Sequence, residues 1–112
     1  MITLYGIPNC GSVKKAKDWL NAKGLPFEEV NWKKRPITRA EMSRFVEEKG
    51  LDLVLNRRGM TWRKLGLKDQ NLSDEELLDQ LLEHQGLMKR PVIDKEGALI
   101  VGYDEAAYET FF

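Results

Sequence analysis

A short β-rich segment, Ile2-Thr3-Leu4-Tyr5-Gly6, runs through the turn Gly6-Ile7-Pro8-Asn9 into a helical pattern that begins at Gly11. No other stretch restricts the fold as strongly. A buried strand, a tight turn and an amphipathic helix, in that order, open a βαβ unit. Val13, Ala16 and Leu20, with Trp19, recur at helical spacing, while Lys and Asp fill the outer face and Gly24 supplies a stop. The alternation in Pro26-Phe27-Glu28-Glu29-Val30-Asn31-Trp32 reads as the second strand, ended by Lys33-Lys34-Arg35-Pro36.

Two helix starts follow. Thr38-Arg39-Ala40-Glu41 is a capping-box sequence with Ile37 and Met42 placed as a hydrophobic staple, and Phe45 and Val46 continue the apolar face. Ser73-Asp74-Glu75-Glu76 repeats the device with Leu72 and Leu77, and Leu78, Leu81 and Leu82 supply its buried side. Leu51 to Lys68 is a mixed stretch broken at Gly59 and Gly66. Arg90-Pro91-Val92-Ile93-Asp94 reads as a strand entered through a proline, Lys95-Glu96-Gly97 as a hairpin turn, and Ala98-Leu99-Ile100-Val101-Gly102 as the returning strand. A last helix begins near Asp104, its N-cap, with Ala107, Tyr108 and Phe111 packing inward. The expected fold is α/β: a mixed four-stranded sheet with a helical insertion, about residues 38–86, between a βαβ half and a ββα half.

With 112 residues the expectation is a single domain, residues 1–112. Apolar residues make up 42% of the chain and charged residues 32%, which argues against disorder. The apolar runs are too short to span a bilayer, and the start MITLYG lacks the pattern of a secretory leader, so a cytoplasmic protein without membrane association is expected. The net charge is zero but unevenly spread. Residues 31–68 hold eleven Lys/Arg against four Asp/Glu, and residues 69–112 hold three against eleven. Complementary solvated helix faces account for this, and so does a basic rim for an anionic substrate.

The chain has one cysteine, so any disulfide must be made with another molecule. A lone cysteine is commonly a small buried hydrophobe. Cys10, however, falls in a Pro-Asn-Cys-Gly turn at a helix N-terminus, where unpaired backbone N–H groups and a partial positive charge favour a thiolate. The amides of Gly11 and Ser12, with the Ser12 hydroxyl, are placed to cradle the sulfur or an oxyanion on it, and Lys14 adds a cation one turn on. His84, the sole histidine, follows an acidic helix and reads as structural or surface-exposed. Trp19, Trp32 and Trp62 read as packing residues. No metal-ligand set and no phosphate-binding glycine loop is recognisable.

Tyr5-Gly6-Ile7-Pro8-Asn9-Cys10, Lys14-Lys15-Ala16, Asn56-Arg57-Arg58-Gly59-Met60-Thr61-Trp62-Arg63-Lys64-Leu65, Lys89-Arg90-Pro91 and Val101-Gly102-Tyr103 closely resemble the ArsC/Spx superfamily, and within it the YffB-like branch. The resemblance spans essentially the whole chain and implies a thioredoxin-like sheet. It also implies that Cys10 is the catalytic nucleophile, that Arg90 precedes a cis Pro91 whose loop faces Cys10, and that Arg57 or Arg58 supplies a further basic group. Gly11, Ser12, Lys14, Arg57, Arg58, Arg90 and Pro91 are then the candidate substrate- or glutathione-binding residues. The chain departs from the resemblance in three places. Val13 stands where Spx regulators have the second cysteine of a CxxC pair, Gly6 where arsenate reductases carry a histidine, and no third arginine lies near Gly102. Loss of one of three cationic donors weakens arsenate binding and turnover.

Two functions follow from the resemblance. One is a monothiol oxidoreductase or arsenate reductase-like enzyme, a monomer with no bound cofactor, that takes a disulfide or small oxyanion as substrate and glutathione or glutaredoxin as reductant. The other is a non-catalytic Spx-like interaction module or transcriptional regulator that contacts RNA polymerase or another protein and not nucleic acid directly.

Overall fold

The computed structural model describes all of residues 1–112, which form two compact units. Met1–Arg35 and Arg90–Phe112 make the first, and Pro36–Lys89 the second, where the sequence led us to expect a helical insertion.

The first unit holds strands β1 (Ile2–Gly6), β2 (Phe27–Asn31), β3 (Val92–Lys95) and β4 (Ala98–Val101), with helices α1 (Gly11–Ala22) and α6 (Glu105–Phe111). The strands form one sheet in the order β2-β1-β3-β4. β1 runs parallel to β2 and antiparallel to β3, and β3 and β4 are an antiparallel hairpin. Leu4 stands opposite Ile93, and Ile93 opposite Ile100, so the period of two puts these side chains on one face. That face packs with Val13, Ala16, Trp19 and Leu20 of α1 and with Tyr108 of α6. At the hairpin tip Glu96 (φ 50) and Gly97 (φ 96) are both left-handed, as a two-residue turn between twisted strands demands, and Asp94 Oδ1 accepts the Gly97 N–H at 2.8 Å. The Arg90–Pro91 peptide bond is cis, in agreement with what the family resemblance implied.

α6 is capped by Asp104, whose carboxylate accepts the Ala107 N–H at 3.2 Å. Its inward face is narrower than the sequence suggests. Tyr108 is fully buried and Phe111 half-buried, but Ala107 is exposed, because in a helix of two turns only one position in four faces the sheet squarely.

The second unit is helical: α2 (Arg39–Lys49), α3 (Leu51–Val54), α4 (Met60–Leu65) and α5 (Asp74–Glu83), with 3₁₀ turns at Leu67–Asp69 and Gln85–Leu87. The mixed stretch resolves into short helical pieces because Gly59 caps the start of α4 and Gly66, in the left-handed region, ends it. Gln85 ties the unit together: its amide oxygen accepts the Ile37 N–H and its amide nitrogen donates to the Ile37 carbonyl, both at 2.8 Å. Leu77 and Leu81 of α5 are buried as expected, whereas Leu78 and Leu82 are only half-buried, since they flank the stripe that faces α2.

Both capping boxes form, at Thr38/Glu41 and at Ser73/Glu76. The Glu76 carboxyl is held below its ordinary value of 4.5, chiefly by the Ser73 N–H it accepts and then by the Ser73 side chain. A carboxyl lowered by folding stabilises the fold above its ordinary titration and loses that contribution as pH falls through the lowered value. We expect wild type to exceed Glu76→Gln in urea midpoint at about pH 7 and to lose that advantage at about pH 3. Paired denaturation curves check this. Replacing the cap itself, Ser73→Ala, costs about 1 kcal/mol.

Candidate functional site

The turn from β1 to α1 is built by a close approach. Gly6 is buried at the end of β1, and a Cβ placed there would meet Val13 Cγ2 at 3.0 Å and Cγ1 at 3.1 Å. A side chain at position 6 would crowd Val13, which must give way by a few tenths of an ångström, so glycine lets α1 approach the strand closely. Asn9 then takes the left-handed conformation (φ 60) that its short polar side chain tolerates, and the chain enters Cys10 extended (φ −114, ψ 123).

Cys10 is the N-cap of α1. Its carbonyl accepts the Lys14 N–H at 3.0 Å, and its side chain makes no capping hydrogen bond. The thiol is free and half-buried: one side packs against the α1/sheet core, and the residue also lines a cleft of about 330 Å³. Ile7, Pro8 and Val13 form the apolar wall of this cleft, Asn9 and Gly11 flank the sulfur's residue, and Lys14 and Lys17 bring positive charge. Gly11 and Ser12 are exposed in the first turn, and a Cβ at Gly11 would meet no atom within 4 Å. Space is thus open in front of the helix terminus, where backbone amides can receive an anion.

The two lysines are already engaged. Lys14 Nζ lies 2.8 Å from Asp18, and this hydrogen bond, with the carboxylate's charge, raises the ammonium above its ordinary titration. Lys17 Nζ lies 3.4 Å from Glu29. Both pairs are largely solvent-exposed and weak, so an incoming anion can compete for the ammonium groups. Lys17, one turn beyond Lys14 on the same face, is a cleft residue that sequence reasoning missed; its i, i+3 spacing was the available signal.

Arg90 is half-buried, with no ion pair or hydrogen bond on its guanidinium, and it does not line the Cys10 cleft. Pro91 is buried, and its carbonyl accepts the Gly102 N–H at 2.8 Å. Gly102, with φ 81, in turn accepts the Tyr108 hydroxyl at 2.6 Å. The segment after the cis bond is thereby tied to the aromatic core. Arg57 and Arg58 belong to the helical unit. Arg57 pairs with Asp52 at 2.6 Å and lies over the Trp62 ring at 5.6 Å, and both arginines line a cavity with Asn56 and Lys89. His84 caps the end of α5 with Nε2 3.9 Å from Glu83. No group of three or more His, Cys, Asp or Glu side chains is placed to hold a metal ion, and no helix is long and apolar enough to cross a membrane.

A mixed four-stranded sheet with a cysteine at the N-terminus of the helix after its first strand, and a cis-proline leading into its third, defines a thioredoxin-like fold. The chain belongs to the ArsC family, whose sequence model matches residues 5–111. It is 34% identical to the global transcriptional regulator Spx of Bacillus subtilis, over 99% of this chain and 86% of that protein. Among solved structures it is similar to the YffB protein, with a TM-score of 0.92 and 32% identity over 98% of this chain and 97% of that one. It is also similar to an arsenate reductase (ArsC) related protein from Brucella melitensis, with a TM-score of 0.79 and 34% identity over 99% and 93% of the two chains.

Proposed function

We propose that this protein is a monothiol reductase whose nucleophile is Cys10. The thiolate attacks one sulfur of a disulfide, the S–S bond breaks, and the departing sulfur keeps the electron pair as a thiolate. A second thiol, glutathione in this reading, attacks the mixed disulfide and releases Cys10 for another cycle. With arsenate as acceptor, a Cys10 sulfur–arsenic bond forms with loss of water, and two glutathione thiols supply the two electrons that reduce the arsenic. Gly11 and Ser12 receive the anionic end of the substrate, Lys14 leaves Asp18 to join it, and Arg90, which has no carboxylate partner in the chain, binds a glutathione carboxylate. Arg57 and Arg58 keep the anion-binding role that the family resemblance implies for one of them.

The observation that carries this reading is the free Cys10 thiol at a helix N-terminus, lining an open cleft with no bond to any group of its own chain. Val13, buried where Spx has its second cysteine, leaves no partner for an internal disulfide, so the resolving thiol must be external. The test is glutathione-dependent turnover of a glutathione mixed disulfide and, separately, of arsenate. Catalytic consumption of glutathione with either acceptor is the expected result; single-turnover trapping with neither recycled would refute it.

The similarity to Spx favours a second reading, an interaction module that contacts RNA polymerase or another protein without turnover. Affinity capture with wild type and Cys10→Ser separates the two. Partner recovery that is unchanged by the substitution, together with no turnover, supports the module.

A further inference from the structure

The helical unit carries a cleft whose lining does not include Cys10 and is chemically one-sided. It measures about 490 Å³, within the range of about 300–1,000 Å³ typical of small-molecule sites. Trp62, Leu67, Leu72 and Leu77 form its wall, with Trp62, Leu67 and Leu77 buried and Leu72 half-buried. Its polar groups are Arg57, Lys68 and Asn71, and no carboxylate lines it.

Each polar group has donors to spare. Asp52 accepts from Nη1 of Arg57 at 2.6 Å, and the guanidinium is held over the Trp62 ring, which leaves other N–H groups of the fork free. The Lys68 ammonium and the Asn71 carboxamide have no hydrogen-bond or ion-pair partner within the chain. Two cations, of which Arg57 is paired with Asp52 outside the lining and Lys68 has no partner, therefore meet a free amide and an aromatic-aliphatic wall with no carboxylate in the lining. A cation is repelled there, and a neutral apolar molecule leaves the Lys68 ammonium unpaired. An anion with an apolar body satisfies both halves.

We infer that the Arg57–Trp62–Lys68 cleft is a binding site for a small amphipathic carboxylate, whose acidic head pairs with Lys68 and Arg57 while its apolar body lies against Trp62, Leu72 and Leu77. Every lining residue belongs to the helical unit, and Cys10 is not among them.

Phenylbutyrate and phenylbutylamine share a body and differ in the charge of the head, so they make a direct test. Titrated into the full chain, phenylbutyrate should shift the indole N–H resonance of Trp62 saturably, with a dissociation constant of about 1 mM for a probe of this size. The amine should bind at least about tenfold more weakly. Lys68→Glu, at an exposed position, should weaken phenylbutyrate by at least about tenfold, whereas Lys15→Glu, the same charge change on α1, and Cys10→Ser should leave it unaltered. Equal affinity for the amine, the largest shifts arising at residues of the Cys10 cleft, or loss of binding in Cys10→Ser would each overturn the assignment.

Discussion

Cys10→Ser should abolish glutathione-dependent reduction, lowering kcat/KM by at least about a thousandfold, while the protein stays folded. The size of the loss follows from the chemistry. A serine hydroxyl at the same N-cap cannot form the covalent sulfur intermediate, and no second cysteine can substitute. Stability should move little, within about 1 kcal/mol, because the thiol is half-buried and makes no hydrogen bond whose loss would strand a partner. Steady-state kinetics and thermal unfolding of the one variant therefore separate a catalytic sulfur from a structural one. A structural cysteine would show the reverse pattern, with activity retained per folded molecule and a lowered Tm.

Tyr108 is where the largest loss of stability is expected. Its side chain has no exposed surface, its ring stands edge-on to Trp19, Tyr103 and Phe112 at 5.0–5.4 Å, and its hydroxyl donates to the Gly102 carbonyl. Tyr108→Ala opens a cavity at the centre of this cluster and should cost about 3–5 kcal/mol, a large part of a total of about 5–15 kcal/mol for a domain. A fall in Tm of about 15 °C or more is the corresponding thermal result. Tyr108→Phe keeps the packing but removes the donor from Gly102, and should cost about 1–2 kcal/mol. Burial, and then the neighbouring Tyr103, push the phenol well above its ordinary value. An acid whose proton is held more tightly in the folded state lends stability up to the ordinary phenol value of about 10, and that stability is lost as pH rises further. The difference in Tm between wild type and Tyr108→Phe should accordingly be flat through neutral pH and shrink above about pH 10.

Most of the architecture was legible because local chemistry spelled it out. Two capping boxes with their staples, a Glu-Gly hairpin tip and a helical period beginning at Gly11 each name an element with little help from tertiary structure. Misreadings arose where burial depends on a neighbour that lies far off in sequence. Ala107, Leu78 and Leu82 have the right type and roughly the right spacing, but their angle around the helix leaves them at the edge of the packed stripe or outside it. The order β2-β1-β3-β4 is likewise a tertiary fact that no single segment encodes.

The candidate site divides in the same way. Cys10 at the start of α1 could be read from the strand-turn-helix pattern, whereas its cleft owes its shape to Ile7, Pro8 and Val13, which in sequence are ordinary apolar residues. At Lys14 two partners compete: the ammonium lies one helical turn from Cys10, but Asp18, four residues on, holds it. The Trp62 cleft was invisible, since its cations and its apolar wall come from α4, α5, the 3₁₀ turn between them and the loops on either side.

Incubation with oxidised glutathione, followed by intact-mass and peptide mass spectrometry, puts the account to its most direct trial. One glutathionyl group on the peptide containing Cys10, removed again by reduced glutathione, is what a recycled sulfur nucleophile requires. A protein that emerges unmodified, or one that takes up the group and never gives it back to the thiol, would contradict it.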